Sequence, residues 1–230
     1  MSAFERLGRE ANTDKVTHHG YQRFFPQWLD PLRATATGIL EIGIEQNLSV
    51  NLWLKYFEKA FIYGIDISFD YNEDRVKIIK ADQSSIDDLK RVLTQIIHPV
   101  NAIIDDGSHV PEHQILTFSF LFLNLLEEGG VYIVEDIETS YWKRGGLYGY
   151  NTNYGYKHPK SFVEYAKKLV DVLNNEFLNR ENRAELKEID DKLFNSISSI
   201  TFGQNCVIIK KKTSSEMQYN NREYLFGHFI

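Results

Sequence analysis

The chain has 230 residues, 43% of them hydrophobic and 25% charged, with a formal net charge of −6. That is the profile of a single globular domain large enough to bury a core without staples, and its acidic balance argues against nucleic-acid or anionic-membrane binding. One cysteine, Cys206, excludes a disulfide framework and fits a reducing compartment. No signal-peptide pattern opens the sequence and no apolar run is long enough to span a bilayer, so a cytoplasmic location is expected.

Residues 1–37 read as a lead-in, polar at first, then apolar at helical spacing in "YQRFFPQWLDPLR". Residues 38–212 then alternate. Strands are expected at "GILEIGI" (38–44), "AFIYGIDI" (60–67), "RVKIIKAD" (75–82), "NAIIDD" (101–106) and "EEGGVYIVED" (127–136). Helices are expected at 48–57, at 85–96 behind a serine cap, at 111–126 with proline in its first turn, and at 160–178. Such alternation implies βαβ units and a mostly parallel sheet covered on both faces. "LFNSISSITFGQNCVIIKKK" (193–212) departs from it, reading as an antiparallel hairpin around Gly203, and 213–230 is left as a tail.

Ligands of open α/β sheets bind beyond the carboxyl ends of the strands, and the chemically suggestive residues fall there. Glu41 and Gly43 close the first strand, where a glycine permits a tight turn and close backbone approach. Asp66 closes the second, at the position from which a carboxylate accepts from ribose hydroxyls. Asp82 follows the third, within reach of an adenine amino group. Asp105 and Asp106 end one strand and Glu135 and Asp136 the next. Neighbouring strands lie roughly 4.8 Å apart, so these acids are expected to converge. Clustered carboxylates repel, and a divalent cation relieves the repulsion. An all-oxygen set suits Mg²⁺, with Mn²⁺ or Ca²⁺ as alternatives. His109, after a Gly-Ser turn, is placed to act as a general base on a substrate hydroxyl. Solvated, independent acids are the plain alternative for each pair.

"NTDKVTHHGY", "ILEIGI", "YGIDIS", "IIDDGSH" and "GGVYIVEDIETSYW", in this order, resemble the metal-dependent O-methyltransferases that act on sugars of macrolides and related natural products. Cephalosporin-type and catechol O-methyltransferases are more distantly similar. The resemblance implies a Rossmann-like class I methyltransferase domain over 1–230, with a seven-stranded sheet and S-adenosylmethionine as cofactor. It implies Mg²⁺ held by Asp105, Glu135 and Asp136, with Asp106 assisting or orienting a metal-bound water, and His109 as base. Glu41, Gly43, Asp66 and Asp82 match cofactor-binding positions. Thr13, Asp14, Lys15 and Tyr21 match an N-terminal signature near the active site, with Thr13 and Tyr21 assigned to the cofactor. The implied acceptor is a small molecule bearing a sugar hydroxyl, under the Tyr-rich 141–158 loop, in a homo-oligomer. A metal-dependent Rossmann-type hydrolase or hydroxylase, or a non-catalytic nucleoside-binding protein, would use the same strand tips.

Overall fold

Period-two alternation on the strands decides which side chains meet which helices. The structure, a computed structural model, describes residues 1–143, 152 and 154–217. The lead-in forms α1 (Ala3–Ala11), capped by the Ser2 hydroxyl on the Glu5 amide, and the short α2 (Asp14–Thr17) and α3 (Pro26–Leu29). The core follows as β1 (Gly38–Ile42), α4 (Leu48–Tyr56), β2 (Phe61–Asp66), β3 (Tyr71–Glu73), β4 (Val76–Lys80) and α5 (Ile86–Leu93). It continues with β5 (Val100–Asp105), α6 (Pro111–Asn124), β6 (Leu126–Glu135) and α7 (Phe162–Leu173), and closes with the hairpin β7 (Ile197–Gly203) and β8 (Cys206–Lys211).

The sheet order is β3-β4-β2-β1-β5-β6-β8-β7, parallel from β4 to β6 and antiparallel at both ends. It therefore has eight strands, not the expected seven. The extra one, β3, is three exposed residues paired antiparallel to β4, too short and too polar to carry a strand pattern in sequence. The order reverses at β1 and β5, which is where a ligand crevice opens in such sheets.

Ile39, Ile62, Ile78, Ala102, Ile104 and Ile133 face the layer built by α1, α3 and α4. Leu40, Tyr63, Ile79, Ile103, Tyr132 and Val134 face α5, α6 and α7. On the first face Phe4 anchors the lead-in. Its ring lies 5.8 Å from Phe25, 5.9 Å from Trp53 and 5.4 Å from Tyr56, centroid to centroid. The apolar residues of "YQRFFPQWLDPLR" are thus core, spread over short α and 3-10 turns instead of one helix.

Phe4→Ala should cost about 3–5 kcal/mol, because that ring is fully buried at the seam between lead-in and sheet. Urea unfolding measures it; a loss below about 1 kcal/mol would mean that the lead-in is only loosely held.

Candidate active site

The β1–α4 loop and the loop after β5 are pressed together at the switch point. Gly43 has φ +85°, and a Cβ there would sit 2.1 Å from the carbonyl oxygen of Asp106. Only glycine allows that approach. The two loops form one side of a cleft of about 1020 Å³ whose walls include Thr13, Gly43, Asp66, Asp82, Asp106, His109 and Asp136.

Behind the wall, Lys15 is fully buried, and its ammonium reaches carboxylates from three neighbouring strands. The Nζ lies 3.2 Å from Glu41 Oε1, 2.6 Å from Asp106 Oδ2, and 3.0 and 2.9 Å from the two oxygens of Glu135. Burial works against the Lys15 charge, but Asp106, Glu135 and Glu41 together hold it protonated, well above the usual lysine range. Burial also pushes the carboxyls of Glu41, Asp106 and Glu135 upward, against the pull of Lys15. One ammonium faces three carboxyls, so the cluster holds more acidic groups than its single cation can pair.

In front of this cluster Asp106, His109 and Asp136 each offer one ligand atom, and these atoms lie within 4.8 Å of one another. His109 Nε2 is 3.9 Å from Asp106 Oδ1 and 3.8 Å from Asp136 Oδ2. The His109 backbone is left-handed, at φ +53°, and its carbonyl accepts from Thr139 Oγ1 at 2.7 Å, which fixes the ring over the strand tips. Two carboxylates open to a polar cleft fit a hard divalent cation with water or substrate oxygens completing the set, and the imidazole stands beside them.

Asp105, expected among the metal ligands, is not part of this group. It shares parity with Ile103 and drops to the α6 face, where it is fully buried. There it accepts from Thr117 Oγ1 at 2.5 Å, Gln83 Nε2 at 3.2 Å and the Tyr132 hydroxyl at 3.3 Å. Gln83 in turn accepts from the Ser108 amide at 2.5 Å, so Asp105 braces the loop that carries Asp106 and His109. Glu135 is likewise turned to Lys15, not to the cleft.

The positions assigned to the cofactor divide. Thr13, Gly43, Asp66 and Asp82 line the cleft, whereas Glu41 and Tyr21 lie behind it. Glu41 pairs with Lys15 and accepts from Ser49 Oγ at 2.6 Å. The Asp66 Oδ2 accepts from the amides of Ile44 and Glu45 at 3.1 and 3.2 Å, tying the β1–α4 loop to β2. Asp82 accepts from the amide and hydroxyl of Ser84 at 2.8 and 2.7 Å. Residues 144–151 and 153 of the Tyr-rich loop and the tail beyond 217 lie outside the described residues. Gln83, His19 and Asn205 were not singled out in sequence; Asn205 had a signal in its "GQN" turn.

No family model matches the chain. It is 33% identical over 220 residues to the 8-demethyl-8-alpha-L-rhamnosyl tetracenomycin-C 2'-O-methyltransferase of Streptomyces olivaceus, covering 91% of this chain and 54% of that protein. It is 31% identical over 184 residues to the L-olivosyl-oleandolide 3-O-methyltransferase of Streptomyces antibioticus, covering 75% of this chain and 46% of that protein. Among solved structures it is similar to MycE, a methyltransferase from the mycinamycin biosynthetic pathway in complex with Mg, SAH and mycinamycin VI. That match has a TM-score of 0.76 at 23% identity, over 92% of this chain and 55% of that one. The chain therefore has the class I methyltransferase fold. In sequence it is homologous to sugar O-methyltransferases of natural-product pathways, and it spans about half the length of the curated relatives it matches. Among the described residues no helix is long and apolar enough to cross a membrane.

Burial raises the Asp105 carboxyl from 3.8 to about 6. A folded-state value above the unfolded one means that its ionisation opposes folding, fully above about pH 6 and not at all below about pH 4. Relative to Asp105→Asn, wild-type stability should therefore fall as pH rises through that window, by up to about 3 kcal/mol. Urea unfolding of both proteins in EDTA reads this; a pH-independent difference would contradict it.

Proposed function

We propose that this chain is an S-adenosylmethionine-dependent, divalent-metal-dependent O-methyltransferase that methylates a sugar hydroxyl of a small natural product. The observation that carries the reading is that the Asp106–His109–Asp136 group opens onto the same cleft as Gly43, Asp66 and Asp82, at the switch point of a class I methyltransferase fold. A cofactor along the β1, β2 and β4 tips would then reach an acceptor held at the acidic group. The kinship with sugar O-methyltransferases supports the acceptor class. The same reading includes a homo-oligomer in the cytoplasm without nucleic-acid or membrane partners, the location and the lack of such partners being in keeping with the single cysteine and the acidic charge.

Asp106 and Asp136 would hold the cation, Mg²⁺ by the hardness of the donors, while Lys15 occupies Glu135 from behind. When bound, the metal supplies Lewis acidity toward the acceptor hydroxyl, and S-adenosylmethionine supplies the methyl group. His109 takes the hydroxyl proton at Nε2, the nitrogen that faces the two carboxylates. Asp66 orients the cofactor side through the loop amides it anchors, and Thr13 closes the opposite wall. Most of the rate enhancement lies in holding the oxygen and methyl group in line, which can contribute roughly 7–11 kcal/mol.

Calorimetric titration of S-adenosylmethionine, then of Mg²⁺, into metal-stripped protein tests the reading. Both ligands should bind. Asp106→Asn or Asp136→Asn should weaken Mg²⁺ by more than about 100-fold, beyond the effect usual for supporting residues, while Asp105→Asn, at a residue that only braces the loop, should weaken it by about tenfold or less. His109→Ala should retain both ligands and, with an accepted sugar, lose about 10²–10⁴ in turnover. No cofactor binding in either condition would sink the methyltransferase reading.

A further inference from the structure

Each carboxylate of the cation group has one oxygen facing His109 Nε2 and the other tethered from behind. For Asp106 the tether is Lys15. For Asp136 it is made by two segments far apart in sequence, the lead-in and the β7–β8 turn. Asp136 Oδ1 accepts from the Tyr21 hydroxyl at 2.6 Å and from Asn205 Nδ2 at 3.0 Å, with His19 Nδ1 at 3.3 Å. Its Oδ2 is the atom that faces His109.

The surroundings over-determine this geometry. Asp136 has a left-handed backbone, φ +50°, uncommon outside glycine though better tolerated by Asp and Asn than by most residues. The Tyr21 oxygen accepts the Asp136 amide at 3.2 Å while its hydroxyl lies 2.6 Å from Oδ1 and 3.1 Å from the Asn205 carbonyl oxygen, so one hydroxyl touches backbone, side chain and hairpin turn. Tyr21 itself cannot swing: it is fully buried, its ring stacked between His19 at 5.2 Å and Phe25 at 4.8 Å. Asn205, also left-handed at φ +63°, uses its amide oxygen to accept the Glu138 amide at 3.0 Å while its nitrogen holds Asp136. The hairpin turn is thereby fastened to the Asp136 side chain and to the backbone just after it.

We propose that Tyr21 and Asn205 are positioning residues for the cation site, clamping Asp136 Oδ1 so that Oδ2 is presented to the metal. This rests on the metal-dependent reading above. It gives Tyr21 a role toward the metal in place of the cofactor contact expected of it, and gives the C-terminal hairpin a part in the site. Neither residue would touch the cation; both act through Asp136.

Two variants remove the clamp with little other change. Tyr21→Phe deletes only the hydroxyl, and Asn205→Gly deletes the amide while keeping a residue at ease with positive φ. Mg²⁺ is titrated calorimetrically into metal-stripped protein, Mn²⁺ binding is followed by electron paramagnetic resonance, and S-adenosylhomocysteine affinity and melting temperature are measured in EDTA. Each single variant should raise the Mg²⁺ dissociation constant about tenfold and the double variant up to about 100-fold, with Mn²⁺ weakened in parallel. Cofactor affinity in EDTA should stay at the wild-type value, which separates positioning from general loosening of the fold. Wild-type Mg²⁺ affinity in the folded double variant would overturn the clamp while leaving the cation site intact. No Mg²⁺ binding by the wild-type protein would remove the cation site itself, and the clamp with it.

Discussion

A single buried ammonium organises the strand tips. Lys15 comes from the lead-in, yet it contacts Glu41 at the end of β1, Asp106 just past β5 and Glu135 at the end of β6. Taking such charges out of water costs several kcal/mol per ion, and this is offset only where geometry is close and the remaining lone pairs are satisfied. Here the four Nζ–oxygen distances lie between 2.6 and 3.2 Å, and Ser49 takes the second oxygen of Glu41. The arrangement ties 37 residues of N-terminal chain to the sheet by charge as well as by the Phe4 cluster. It also gathers more carboxyls than ammonium at the tips, drawn together by the chain's own charges.

The paired acids at the strand ends divide their work by the geometry of a strand. Asp105 and Asp106 are adjacent, so their side chains leave opposite faces. The first is absorbed by Thr117, Tyr132 and Gln83 and braces the loop; the second meets Lys15 and the cleft. Glu135 continues the strand alternation and points to Lys15, whereas the left-handed turn at Asp136 re-aims that carboxylate toward His109. In each pair one acid holds the structure and the other faces the cleft.

Much of this was legible in the sequence because it is local. The apolar runs with acidic ends located five parallel strands, Gly203 marked the hairpin, and Pro111 marked the start of α6. The strand-tip rule placed the cleft and brought Asp106, His109 and Asp136 to it. Parity along "NAIIDD" would have separated Asp105 from Asp106, since Ile103 and Asp105 share a face. What stayed hidden depends on contacts across the chain. Lys15 meets Asp106 across 91 residues and Glu135 across 120, and Tyr21 meets Asn205 across 184. No spacing rule encodes such pairings. The strand β3 was missed for a different reason, since it owes its existence to pairing with β4 and buries nothing.

The most direct measurement of this account is the stability of Lys15→Met beside Lys15→Met/Glu135→Gln, by urea unfolding in EDTA. If Lys15 is the counter-charge that assembles the tips, the single variant should lose about 3–5 kcal/mol, because it strands buried carboxylates, and neutralising Glu135 should restore part of that loss. A Lys15→Met protein as stable as wild type, with no gain from the second substitution, would contradict it.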